Sequence, residues 1–286
     1  MIITDTINQT REIIVQARRD GKTIGIVPTM GALHEGHFSL IRRCRAECSF
    51  AAVSIFVNPT QFAPDEDLDK YPHNFEADYR ACRDLGVDLI FAPATTEMYP
   101  RKNLTWINVE KITNHLCGTS RPNHFRGVCT IVAKLFNIIQ PDIAWFGQKD
   151  AQQLVVIRRM VADLNMPVDI RSCPTVRETD GLAISSRNDY LNSDQRRQGL
   201  CLNQALCRAR EMVIDGTTDA NIIIEAMRLI IEKQPDASID YISIVDNDLL
   251  QPIAEIDRPA LIALAVRIGP ARLIDNIIVE PPAKTV

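Results

Sequence analysis

Two histidines three residues apart, His34 and His37, follow a short apolar run and a proline. At the start of a helix that spacing puts both rings on one face. Gly36 has no side chain, so a bound nucleotide could approach the backbone closely. A helix start also offers N–H groups and a positive dipole end to phosphate. Two imidazoles there can donate hydrogen bonds to phosphate oxygens as charge builds in a transition state. On spacing alone, an H-x-x-H pair is usually incidental. Zinc fits poorly: the metalloprotease pattern needs histidines four apart and a further ligand, and no metal-ligating residue is expected here.

Other residue types that could do chemistry are dispersed along the chain. Gln61 brings donors and an acceptor suited to a hydroxy acid. Asn58 precedes it, and Asn58-Pro59 also reads as a plain turn. Lys149 can meet phosphate as a point charge, although Lys149-Asp150 would equally suit an exposed helix start. Gln153 could reach a hydroxy acid from the side opposite Gln61. Ser185, Ser186 and Arg187 combine two hydroxyls with a guanidinium, which fits a triphosphate and also a polar linker. Tyr71 and His124 are lesser candidates, and His73 and His115 read as structural or exposed. Residues 64–74 are acidic and proline-bounded. They read as a surface loop or, more sharply, as a lid that keeps a reactive intermediate from water.

The elements that must position these residues alternate. Residues 24–27 read as a buried strand ending at Pro28. A helix starting near Gly36 turns Phe38, Leu40, Ile41 and Cys44 inward. Residues 50–57 are continuously apolar, as expected of a strand covered on both faces. A helix at 75–85 ends at Gly86. Strands are expected at 88–92, 104–109, 143–146 and 168–173, with helices at 125–139 and 150–165. This alternation implies a Rossmann-like α/β fold, a mainly parallel sheet with helices on both faces. Ligands of such sheets lie beyond the C-terminal strand ends, near a switch in strand order. After about residue 176 the rhythm changes. Helices at 193–214, with Ser193 as N-cap, and at 218–233 flank Gly216. Strand candidates follow at 240–245, 261–266 and 273–279, which indicates a smaller C-terminal α+β domain. The tail, 281–286, reads as frayed.

With 286 residues, 46% hydrophobic and 24% charged, the chain can bury one large core or two smaller ones. A net charge of −4 without a basic face argues against nucleic-acid binding. The pairs Arg18-Arg19, Arg42-Arg43 and Arg196-Arg197 read as solvated helix faces. No apolar stretch reaches the ~18 residues of a membrane span, and the start lacks the marks of a secretory leader. The eight cysteines form no C-x-x-C pair and read as reduced, mostly buried hydrophobes of a cytoplasmic protein.

The string Pro28-Thr29-Met30-Gly31-Ala32-Leu33-His34-Glu35-Gly36-His37 resembles the H-x-G-H signature of the nucleotidylyltransferase superfamily. More specifically, it is similar to the pantothenate synthetase (pantoate–β-alanine ligase) family. Five further strings agree in order: Ile55-Phe56-Val57-Asn58-Pro59-Thr60-Gln61-Phe62, Arg121-Pro122-Asn123-His124-Phe125-Arg126-Gly127-Val128, Phe146-Gly147-Gln148-Lys149-Asp150-Ala151-Gln152-Gln153, Pro174-Thr175-Val176-Arg177-Glu178 and Ile184-Ser185-Ser186-Arg187-Asn188. The resemblance covers essentially the whole chain. It implies ATP-dependent condensation of (R)-pantoate with β-alanine through pantoyl adenylate, giving pantothenate, AMP and pyrophosphate.

The resemblance also implies residue roles. His37, His34, Lys149 and Arg187 are assigned to catalysis. ATP is assigned to Met30, Gly31, Ala32, Leu33, His34, Glu35, Gly36 and His37, to Gly147, Lys149, Asp150, Ala151 and Gln152, and to Val176, Ile184, Ser185, Ser186 and Arg187. Gln61, Gln153 and Asn58 are assigned to pantoate and β-alanine. Mg²⁺ is expected on the triphosphate and water, with no carboxylate cage of its own. The expected organisation is a nucleotide- and pantoate-binding domain at 1–176 and a domain at 177–286 that closes over ATP. A cytoplasmic homodimer without nucleic-acid or membrane partners completes it. The rivals are another H-x-G-H adenylyltransferase, leaving AMP on a small-molecule phosphate or acid, a synthetase-like tRNA binder disfavoured by the acidic balance, and a nucleotide sensor without chemistry.

Overall fold

The structure is a computed structural model that describes residues 1–64, 66, 68 and 71–282. Asp65, Asp67, Asp69 and Lys70 of the expected lid, and 283–286 of the expected frayed tail, lie outside the described residues. The chain divides into two compact units. The first comprises Met1–Val109, Arg121–Gln148 and Val156–Pro174; the second comprises Glu110–Ser120, Lys149–Val155 and Thr175–Val286.

In chain order the first elements are β1 (Ile2–Thr4), α1 (Ile7–Arg19), β2 (Ile24–Thr29), α2 (Glu35–Glu47), β3 (Phe50–Ile55) and α3 (Phe75–Asp84). Next come β4 (Leu89–Phe91), α4 (Thr95–Met98), α5 (Cys117–Ser120), α6 (His124–Ile139), β5 (Ile143–Gly147), α7 (Ala151–Asp163) and β6 (Asp169–Cys173). The strands form a parallel sheet in the order β1-β4-β3-β2-β5-β6. Its central strands are apolar almost throughout because helices cover both faces. Leu40, Ile41 and Cys44 of α2 and Cys82 of α3 cluster with Val27, Val53, Ile90 and Trp145. Ile24 and Ile26 alternate away from that cluster, and α1 and α6 pack against each other and against β2. A Cβ at Gly25 would stand 2.4 Å from Cys44 Sγ and 2.7 Å from Cys48 Sγ, so β2 meets α2 closely only without a side chain there.

Strand order reverses between β2 and β5: from β2 the chain proceeds to β3 and β4, then returns to β5 on the other side. The ends of β2 and β5 therefore flank the crevice where open α/β sheets bind ligands.

Several expectations needed correction. β1 was not foreseen. β2 continues through Pro28 to Thr29, paired with β3 on one side, while its pairing with β5 stops at Ile26. The proline therefore interrupts no ladder to β5. Residues 104–109 form no strand: Leu104 is 86% exposed, and the Ile107 N–H donates to a side chain, Thr130 Oγ1.

In the second unit, α8 (Ser193–Gly199), α9 (Cys201–Ile214) and α10 (Ala220–Ile231) precede β7 (Ala237–Asp246), β8 (Ala260–Ile268) and β9 (Ala271–Val279). The three strands form an antiparallel sheet. Leu202, Leu206 and Val213 of α9 and Ile223, Met227 and Ile231 of α10 share a core with Ile262, Leu264, Val266 and Ile277. The expected single helix at 193–214 is two, parted at Leu200, and its cap is Asn192 rather than Ser193. Gln195 reaches back to the Asn192 N–H, a reciprocal pairing that Ser193 lacks because Arg196, three residues on, cannot accept.

Seven cysteines are buried free thiols and Cys207 is exposed. Burial pushes the Cys82, Cys129 and Cys201 thiols up to about 12, which keeps them protonated and inert. Among the described residues no helix is long and apolar enough to cross a membrane.

Candidate active site

The end of β2 turns into α2 through a segment in which the Gly31, Ala32, Leu33, His34 and Gly36 N–H groups are engaged. Thr29 Oγ1 donates to the Ser54 carbonyl at 2.7 Å and accepts from the Gly31 N–H at 3.2 Å. Gly31 and Ala32 are both left-handed, with φ of 85° and 50°. Glycine adopts this freely, whereas alanine carries a strain of roughly 1–2 kcal/mol. The carboxylate of Asp78, on α3, accepts from the Ala32 N–H at 2.9 Å and the Leu33 N–H at 2.7 Å. Asp78 is 3% exposed. Burial pushes its carboxyl above the usual carboxylate range, against the lowering influence of the Leu33 and Ala32 N–H groups and of His73.

His34 caps α2, and its Nδ1 accepts from the Gly36 N–H at 3.2 Å. His37 Nδ1 accepts from the His34 N–H at 3.4 Å. The ring centroids stand 4.2 Å apart, so the expected common face is realised. With Nδ1 accepting in both rings, the neutral tautomer carries its proton on Nε2. The helix start is less open than expected, because the His34 ring takes the Gly36 N–H. Gly36 also has a local structural role. A Cβ there would lie 2.9 Å from His34 Cε1, so the glycine makes room for the ring itself. Glu35 is turned to Arg42 in an exposed ion pair of 2.6 Å.

The end of β3 supplies a second turn in the same unit. Asn58 is 1% exposed and fully engaged. Its Nδ2 donates to Gln61 Oε1 at 3.0 Å and to the Gly127 carbonyl at 3.2 Å. Its Oδ1 accepts from Thr60 Oγ1 and Tyr99 Oη, each at 2.9 Å. Asn58 therefore orients Gln61, whose Nε2 lies 3.2 Å from Met30 Sδ. That contact links the two turns. Gly127 of α6 abuts the second, since a Cβ there would fall 2.4 Å from the Thr60 carbonyl oxygen.

His124 Nδ1 lies 2.8 Å from the Gln61 carbonyl oxygen, and Arg121 Nη1 lies 3.1 Å from His124 Nε2. Arg121 also grips Glu66 through two contacts of 2.5 and 2.6 Å. Burial works to raise the Glu66 carboxyl, and Arg121 brings it below its ordinary value. Tyr71 is buried edge-on to Phe62, and His73 is exposed. Gly147 ends β5.

The second unit holds the remaining candidates. Lys149 and Asp150 form a tight turn ahead of α7, and the Lys149 carbonyl accepts from Asn276 Nδ2 at 2.8 Å. Ala151 is buried and Gln153 half-buried in the first turn of α7. The Gln152 amide is engaged with the 112–117 segment, accepting from the Cys117 N–H at 2.9 Å and donating to the Ile112 and His115 carbonyls at 2.9 and 2.7 Å. His115 is half-buried and contacts Gln251 at 2.9 Å.

Val176 and Ile184 meet across a narrow hairpin, with the Ile184 N–H donating to the Val176 carbonyl at 3.0 Å. Arg177 holds that hairpin to β9 by a bidentate pair with Asp275, at 2.6 and 2.9 Å. Ser185 caps the short turn Ser186–Tyr190, accepting from the Arg187 N–H at 3.3 Å. Sequence reasoning passed over Asp78, Asp275 and Asn276. One signal was present in each case: Asp78 precedes Cys82 by four on the inner face of a helix, and Asp275-Asn276 interrupts an otherwise apolar strand.

A family model for pantoate-beta-alanine ligase matches residues 2–278. A pantothenate synthetase of Pelotomaculum thermopropionicum is 52% identical over 278 residues, 97% of this chain and 99% of that protein. One from Heliobacterium modesticaldum is 53% identical over 277 residues, 96% and 99% of the two chains. The crystal structure of pantothenate synthetase from Thermus thermophilus is similar with a TM-score of 0.94 at 42% identity, over 98% of this chain and 100% of that one. The pantoate-beta-alanine ligase of Francisella tularensis, complexed with beta-gamma ATP and beta-alanine, gives 0.82 at 36% identity over 97% of both. Matched along nearly its whole length, by sequence and by fold alike, the chain belongs to the pantoate–β-alanine ligase family.

Proposed function

We propose that this chain condenses pantoate with β-alanine, with cleavage of ATP to AMP and pyrophosphate. The family match supports this reading, and the observation that carries it is the paired imidazoles, 4.2 Å apart, at the head of the helix following β2. The pantoate carboxylate attacks the α-phosphorus and pyrophosphate leaves. The β-alanine amine then attacks the acyl carbon of pantoyl adenylate and expels AMP. Neither step needs a protein nucleophile, so the chain contributes position and charge stabilisation.

In the first unit we assign His34 and His37 to the phosphates, Met30 to Gly36 and Gly147 to ATP, and Gln61 to pantoate and β-alanine. Asn58 serves by holding the Gln61 amide. In the second unit we assign Lys149, Ser185, Ser186 and Arg187 to the phosphates. Asp150, Ala151, Val176 and Ile184 go to the rest of ATP, and Gln153 to pantoate. Gln152 contributes through its place in the turn, because its amide is engaged elsewhere. Mg²⁺ enters as part of the substrate MgATP. The cytoplasmic homodimer rests on the family resemblance.

Mass spectrometry of a purified reaction tests the proposal. Pyrophosphate should appear on mixing MgATP with pantoate, and pantothenate and free AMP only once β-alanine is added. AMP left on a stable product, whatever amine is supplied, would mark an adenylyltransferase instead. No turnover of ATP by folded protein would leave only a sensor.

A further inference from the structure

The turn bearing the two histidines depends on a distant carboxylate. Successive left-handed residues, Gly31 and Ala32, point the next two N–H groups to one side as a concave donor pair. Such a pair ordinarily cradles an anion of the ligand. Here the protein supplies the anion itself: Asp78 fills the cradle with both oxygens, from 46 and 45 residues away in sequence. Asp78 is buried, and among its described hydrogen bonds it meets only those two N–H groups. From there a chain of contacts leads to the rings. Leu33 precedes His34, the His34 N–H is taken by His37 Nδ1, and the Gly36 N–H by His34 Nδ1.

We infer that Asp78 is a positioning residue, an internal anion that locks the 31–34 turn and so presets the His34–His37 ring pair. The inference rests on the function proposed above for those rings. It gives a role to a buried carboxylate whose described hydrogen bonds go to backbone N–H groups alone. Those two N–H groups are already bound, so they are not open to a substrate phosphate. Without Asp78, Ala32 relaxes from its left-handed conformation, the His34 N–H turns, and the His37 ring loses its donor.

Asp78→Asn keeps shape and size but turns an amide NH₂ toward one of the two N–H donors. In the steady-state assay for pantothenate, its kcat should fall by roughly thirtyfold or more, with the KM for pantoate within about twofold and the melting temperature lowered by a few degrees, as one mismatched buried donor requires. Added to His37→Ala, it should cost clearly less than it does alone, because part of its effect passes through the His37 ring. A folded Asp78→Asn protein with wild-type kcat overturns the inference, as does a double variant whose two losses multiply. Amide hydrogen exchange on the unmodified chain gives a readout independent of catalysis and of the variant's folding. The Ala32 and Leu33 amides should be protected about as well as the core of β3, and unprotected amides there overturn the inference. A wild-type chain that makes no pantothenate, while those amides stay protected, sinks the proposed reaction and spares the lock.

Discussion

The two segments assigned to ATP are built on different terms. The 29–37 turn is held by a buried carboxylate, Asp78, that binds backbone N–H groups. The 176–187 hairpin is held by an equally buried carboxylate, Asp275, that binds a guanidinium. An aspartate on N–H groups fixes the path of the chain itself, in a conformation that Ala32 would not otherwise keep. An aspartate on Arg177 fixes a side chain and tethers the hairpin through one residue. The first arrangement sets two rings at a defined separation. The second joins a segment to a sheet and leaves its serines half-buried on a short turn.

If the comparison holds, His37→Ala should show the largest effect. Its kcat should fall by roughly a hundredfold or more, ~3 kcal/mol of transition-state stabilisation, with an almost unchanged melting temperature. Near-normal turnover by a folded variant would break the contrast at its stronger end. Arg177→Ala comes next and acts on stability. It leaves Asp275 buried without its cation, and ~2–3 kcal/mol should be lost, somewhat under the figure for a fully buried pair because Arg177 is 24% exposed. Denaturant melts read this, and an unaltered midpoint would mean that the hairpin does not lean on the pair.

Asn58→Ala removes the bonds that orient Gln61, and should lower stability by about 1–3 kcal/mol while raising the KM for pantoate. Gln61→Ala should be the mildest. It should raise the KM for pantoate roughly tenfold, about 1.4 kcal/mol, and leave that for ATP little changed. A defect confined to ATP would reverse the assignment of the two turns.

Much of the first unit was legible because its central strands are buried on both faces and so write themselves as largely apolar runs. Residues 50–55 are the clearest case. β1 escaped notice because three residues carry no period. Residues 104–109 misled because a short, largely apolar run makes a strand only if a partner exists, and Leu104 has solvent instead. At the site, the histidine pair was readable from local spacing along a helix. Asp78 and Asp275 showed only as polar residues at inward positions; their partners were not readable, because each acts on a segment at least 45 residues away, a separation no local pattern encodes. At Gly36 the structure adds a neighbour that spacing did not suggest, because a Cβ there would meet the His34 ring.

The bare backbone at Gly127 has a practical consequence. There α6 meets the Thr60 carbonyl with no side chain between them, so one wall beside Gln61 is main chain against main chain. Such a wall cannot be widened, because there is nothing to trim, and cannot be thickened by even one methyl without prying the helix loose. If Gln61 holds the acid as proposed, a redesign of that site has side chains to vary at Gln61 and Gln153 and must leave position 127 as glycine.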